Sequence, residues 1–140
     1  MQKDQNKPFH FILIDDNEID LFFHEKLIKI QKISDEVTSF TNVIQALEYL
    51  STFKKTGRIY PQTIILLDIQ MPELDGFDFL DHFEELSDDI QKKSKIFIVS
   101  SSLDHGDLSR SHANHLVEAI LKKPLNTGEL IEALNALVFR

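Results

Sequence analysis

Asp15 and Asp16, Asp68, Ser100 and Lys123 are polar residues standing at or just beyond the ends of short apolar runs. Brought together, three carboxylates repel one another, and ionising all of them in a confined crevice is unfavourable unless a cation compensates. A hard divalent ion answers that need. Magnesium prefers oxygen ligands in octahedral geometry, keeps several waters, and typically takes one or two carboxylates plus a phosphate. Lys123 would add a point positive charge and Ser100 a hydroxyl donor, both suited to phosphoryl oxygens as charge spreads over them during transfer. A carboxylate can also act as nucleophile and form an aspartyl phosphate. Each residue has a plainer reading as well. Asp15 and Asp16 could cap a helix, Asp68 and Pro72 could shape a turn with Asp75-Gly76, Ser100 could cap the next helix, and Lys123-Pro124 could be a solvated loop. Any one of them alone favours the plainer reading, and their convergence reverses it.

The convergence depends on the elements that carry them. Phe9 to Ile14, Val37 to Phe40, Thr63 to Leu67, Ile96 to Val99 and Val117 to Leu121 read as strands, several of them continuously apolar as strands buried on both faces should be. Helical spacings alternate with them. Ile19, Phe22, Phe23, Leu27 and Ile30 form one apolar stripe, and Val43, Ala46, Leu47, Leu50 and Phe53 form a second. Phe79, Leu80, Phe83 and Leu86 follow the third strand. Leu130, Ile131, Leu134, Leu137 and Val138 follow the fifth, with Asn126 or Thr127 as cap. The stretch Leu103 to His115 is polar, contains Gly106, and offers only Leu103, Leu108 and Ala113 to a core, which predicts a marginal helix. Lys54 to Pro61 and Ser87 to Lys95 read as solvated loops. The alternation predicts an α/β fold, a doubly wound five-stranded parallel sheet with five helices. In such sheets ligands bind beyond the carboxyl ends of the strands, which places all the residues named above at one site.

Bulk properties narrow the remaining choices. With 140 residues the chain has room for one domain, read here as residues 9–140 behind a polar extension over residues 1–8. The absence of cysteine excludes disulfides and thiolate metal sites and suits a cytoplasmic location. No apolar run approaches membrane-spanning length, and the first residues lack the apolar stretch of a signal peptide. Fifteen basic against twenty-three acidic residues give a formal charge of −8, which argues against nucleic acid as a partner. His105, His112 and His115 have no zinc-like spacing and read as solvated surface.

These residues resemble the receiver domain of bacterial response regulators, over nearly the whole chain. The resemblance rests on Ile12-Leu13-Ile14-Asp15-Asp16, on Leu67-Asp68-Ile69-Gln70-Met71-Pro72 with Asp75-Gly76 beyond, on Val99-Ser100, and on Lys123-Pro124. It implies a flavodoxin-like fold with strand order 2-1-3-4-5. It further implies that Asp68 is the phosphoacceptor and that Mg2+ (or Mn2+) is held by Asp16, by Asp15 through water, by Asp68 and by the Gln70 backbone carbonyl. Ser100 matches the switch hydroxyl, and Lys123 the lysine that pairs with the phosphoryl group, joined to Pro124 by a cis peptide. The implied partners are a histidine kinase or phosphotransfer protein as donor and a separate downstream protein, or a phosphorylation-linked homodimer, as output. The family catalyses its own phosphorylation and dephosphorylation without turning over an external substrate.

The sequence departs from the family pattern in two places. Ile120 stands three residues before Lys123, where tyrosine or phenylalanine is frequent, so an aromatic ring cannot swing toward the switch hydroxyl. Ser100 stands where threonine is frequent, keeping the hydroxyl without the methyl that restrains its rotamer. Gln70 and Ser102 occupy positions that tend to govern phosphoryl lifetime. Two rivals remain: a metal-dependent phosphohydrolase with an aspartate nucleophile, which would want an acid where Gln70 stands, and a receiver-shaped interaction module that is never phosphorylated.

Overall fold

A computed structural model describes residues 9–101 and 103–137; the extension over residues 1–8, Ser102 and Val138 lie outside the described residues. Strands β1 (His10–Ile14), β2 (Val37–Phe40), β3 (Thr63–Leu67), β4 (Ser94–Ser100) and β5 (Val117–Lys122) form one parallel sheet in the order β2-β1-β3-β4-β5. Helices α1 (Glu18–Ile30), α2 (Val43–Thr56), α3 (Gly76–Phe83), α4 (Asp88–Lys93) and α5 (His105–Ala113) lie between them, and α6 (Thr127–Asn135) follows β5. The expected order is met, and β1 and β4 flank β3.

The central strands are continuously apolar through Phe11–Ile14, Ile64–Leu67 and Ile96–Val99 because both faces are covered there, with polar residues such as His10, Thr63, Ser94 and Ser100 at the ends. Ile12, Ile14, Ile65, Leu67, Ile96 and Ile98 pack with Val43, Ala46, Leu50 and Phe53 of α2 and with Phe77, Phe79, Leu80 and Phe83 of α3. Phe11, Leu13, Ile64, Leu66, Phe97 and Val99 point to the opposite layer, with Leu21 and Ile28 of α1 and Leu130 of α6. Alternate residues of one strand thus enter two separate cores, as the period of two requires.

Five expectations from the sequence are corrected. There are six helices among the described residues where five were predicted: α4 occupies part of Ser87 to Lys95. Ser87 caps it through the Ile90 N–H, Asp88 and Asp89 suit its first turn, and Ile90 is buried, but a single apolar anchor in six residues shows no period. The end of that presumed loop, Ser94 and Lys95, belongs to β4, where Ser94 Oγ hydrogen-bonds the buried Tyr60 hydroxyl at 2.8 Å. Lys54 to Thr56 likewise complete α2 before Gly57 ends it at φ 72°, a left-handed cap that glycine adopts without strain.

On α1 most of the predicted stripe faces outward, and of its five residues Leu27 alone packs against the core. Ile19, Phe22, Phe23 and Ile30 are 57–69 % exposed, while Leu21, His24 and Ile28 are buried. A histidine in the inner row disguised the true period. On α5, Asp104 caps the helix by accepting the Asp107 N–H at 2.7 Å, yet Ala113 is exposed and Ser111 is the fully buried residue. The Ser111 hydroxyl has no hydrogen-bond partner, which costs the helix stability.

Candidate functional site

Every candidate side chain is carried to one edge of the sheet by a strand end. The Asp15 N–H donates to the Phe40 carbonyl at 3.1 Å and the Asp68 N–H to the Ile14 carbonyl at 2.9 Å, so the ladders of β2-β1-β3 run directly into the two carboxylates. Ser100 is the last residue of β4, and its carbonyl accepts the Lys123 N–H at 2.9 Å. The Lys123-Pro124 peptide is cis. Gly76 packs against the turn that follows Asp68: a Cβ there would lie 2.7 Å from the Asp68 carbonyl oxygen and 2.8 Å from Ile69 Cα. The Asp75-Gly76 pair therefore does more than bend the chain, since only glycine fits beneath the acceptor's backbone.

Carboxylate oxygens of Asp15, Asp16 and Asp68 all lie within 4.8 Å of one another. Asp15 and Asp68 are buried, whereas Asp16 is exposed. Asp15 Oδ1 accepts the Asn17 N–H at 2.9 Å, and Asp68 Oδ1 accepts the Gln70 N–H at 3.2 Å. The Lys123 ammonium reaches three acids: Asp15 Oδ2 at 2.6 Å, Asp20 Oδ2 at 2.8 Å and Asp68 Oδ2 at 3.5 Å. Burial, reinforced by the Asp15 charge, pushes the Asp68 carboxyl up to about 6 against the pull of Lys123. For Lys123, burial alone would favour the neutral amine. The hydrogen bonds to Asp15 and Asp20 outweigh it and raise the pKa, keeping the ammonium charged.

This donor set fits a hard divalent cation. Several acidic oxygens converge on one space, Lys123 compensates them, and the buried Asp68 carboxyl resists ionisation. Two participants went unread in the sequence. Asp20 binds Lys123 from the first turn of α1, and the buried His24 lies close enough that burial, then the Lys123 charge, lower its pKa. Asp20 looks like an ordinary first-turn acid, and only its contact with a residue 103 positions away reveals more. The other expectations are placed plainly. Ile120 lines a pocket of about 330 Å3 with Ser100, Ser101, Leu103 and Leu108, and His105, His112 and His115 are exposed. Among the described residues no helix is long and apolar enough to cross a membrane.

Comparison with known proteins agrees with this fold. A response regulator receiver protein from Dyadobacter fermentans superposes with a TM-score of 0.82 at 33 % identity, covering 91 % of this chain and 95 % of that one. A two-component response regulator from Cytophaga hutchinsonii gives 0.81 at 31 % identity, covering 92 % and 96 %. The response regulator Rcp1 of Synechocystis is 22 % identical over 98 % of this chain and 91 % of its own. The family model described as the response regulator receiver domain matches residues 11–135, a span that contains every strand end described above except the first residue of β1. With that match over most of its length, the chain belongs to the response regulator receiver family of two-component signalling.

Proposed function

We propose that this chain is a phospho-accepting receiver, in which Asp68 takes a phosphoryl group from the phosphohistidine of a histidine kinase or phosphotransfer protein. The observation that carries this reading is the buried Asp68 carboxylate set beside Asp15 and Asp16, with the Lys123 ammonium 3.5 Å away. An Asp68 oxygen attacks phosphorus as the phosphorus–nitrogen bond breaks, and the departing electron pair stays on the donor imidazole, which takes up a proton. Lys123 and Ser100 bind the phosphoryl oxygens. Asp15, Asp16, Asp68 and the Gln70 carbonyl would hold Mg2+ or Mn2+, which supplies positive charge against the transferred group. Receiver domains in general bind magnesium and are not turnover enzymes.

The exposed Ile19, Phe22 and Phe23 support docking of a protein donor, since this apolar face of α1 begins beside Asp20, itself in contact with the site. Drawing Ser100 and the residues after it toward the phosphoryl group would shift α5, and the signal would leave by binding a separate protein or a second copy. The unpartnered Ser111 hydroxyl of α5 and the pocket between Leu103, Leu108 and Ile120 support such a movement. The test is labelling by acetyl phosphate with magnesium. Wild type is expected to label and Asp68→Asn to lose it; full labelling of the variant would remove Asp68 from this role.

A further inference from the structure

Lys123 rests closer to Asp15 and Asp20 than to the acceptor. Its ammonium lies 2.6 Å from Asp15 Oδ2 and 2.8 Å from Asp20 Oδ2, against 3.5 Å from Asp68 Oδ2. The Asp20 backbone is fixed in the first turn of α1, its N–H donating to Asn17 Oδ1 at 3.1 Å, and its side chain is 31 % exposed while that of Lys123 is 10 % exposed. The contact is therefore a partly buried, charge-assisted hydrogen bond reached from a well-capped helix, rather than a loose surface pair. Building on the phosphoacceptor reading, we propose that Asp20 is a positioning residue that holds Lys123 on the α1 side of the crevice until a phosphoryl group arrives.

A point charge neutralises chiefly the groups nearest to it, and this has opposite consequences for the two ligands of the site. Without Asp20, Lys123 is free to settle between Asp15 and Asp68, the carboxylates a divalent cation needs, and the crevice also loses a negative charge. Metal binding weakens. A phosphoryl group, in contrast, must draw Lys123 away from a 2.8 Å bond, and removing Asp20 removes both that competitor and a repelling charge. Binding of the anion tightens.

The opposite signs make a test that a merely structural role would not pass. Asp20→Asn is compared with Glu18→Gln, which removes the same charge from an exposed position in the same helical turn. Mn2+ alone is titrated into the full chain by electron paramagnetic resonance, and beryllofluoride is titrated at saturating Mg2+ by fluorine NMR. Asp20→Asn is expected to weaken Mn2+ about fivefold and to tighten beryllofluoride about fivefold, the scale of one partly screened charge pair. Glu18→Gln should move either by less than about twofold, since exposed charge is screened. Asp20→Glu, which keeps the acid, should return both toward wild type. The proposal is overturned if Asp20→Asn matches wild type or Glu18→Gln in either titration, or if both affinities move the same way. If wild type fails to bind beryllofluoride, or Asp68→Asn binds it equally well, the phosphoacceptor reading falls and this proposal with it. If wild type binds, Asp68→Asn does not, and Asp20→Asn changes nothing, only the role of Asp20 is lost.

Discussion

Replacing Asp68 by asparagine should make the metal-free protein more stable at neutral pH, and the gain should vanish in acid. The Asp68 carboxyl titrates near 6 in the fold against 3.8 when unperturbed, because burial and the Asp15 charge oppose its ionisation. A raised carboxyl pKa means that the native state binds the proton more tightly than the unfolded chain does. Its contribution to stability is therefore fully present below pH 3.8 and is lost as pH rises through 6. Above that range the ionised group costs the fold at most about 3 kcal/mol. Asparagine keeps an oxygen to accept the Gln70 N–H, bonded now at 3.2 Å, and gives up only the longest of the three Lys123 contacts. After that small loss the expected gain at pH 7.5 is about 2 kcal/mol. Urea unfolding of both proteins in chelator, at intervals from pH 4 to 7.5, measures it. A stability difference that stays constant across this range, or a variant less stable than wild type at pH 7.5, would refute the placement of Asp68 as a buried carboxylate repelled by Asp15.

Three further outcomes are expected. Gly76→Ala should destabilise the domain by about 2 kcal/mol or more in the same unfolding assay, since the added methyl meets the Asp68 carbonyl and Ile69 Cα, backbone atoms that cannot rotate aside. Ser111→Ala removes a buried hydroxyl with no partner, so stability should hold or rise by up to about 1 kcal/mol; a loss of that size would mean the hydroxyl is satisfied. Phe22→Ser with Phe23→Ser should slow phosphotransfer from a protein donor about tenfold or more, as loss of buried aromatic anchors does, while labelling by acetyl phosphate stays unchanged. Equal slowing with both donors would place these rings in the chemistry or the fold instead of the docking face.

The parts of the fold that could be read from sequence are those where one physical demand dominates. Thr63 to Leu67 matches its strand residue for residue because the run Ile64 to Leu67, covered on both faces, must be apolar. The helices are harder, since a helix needs only part of its circumference buried. On α1, Phe22 and Phe23 drew the eye from the inner row of Leu21, His24 and Ile28, where a histidine holds an apolar position. On α5 a serine takes the buried place that Ala113 was expected to fill. The site was legible through strand ends, since topology brings Asp15, Asp16 and Asp68 together once the strand order is known. Asp20 was not, because its meaning lies in a distance to Lys123 that no local pattern encodes.

The outward-facing rings of α1 also bear on how the protein behaves in bulk solution. Phe22 and Phe23 meet edge to face with centroids 5.9 Å apart, and with Ile19 and Ile30 they leave oily surface on a molecule of formal charge −8. Mutual repulsion between like-charged copies keeps such surfaces apart in dilute buffer, and at 1 M ionic strength it is screened beyond about 3 Å. Salt, commonly added to keep proteins dispersed, should here promote self-association, and the concentrated stock is best kept at low ionic strength and above the pI of about 5.1.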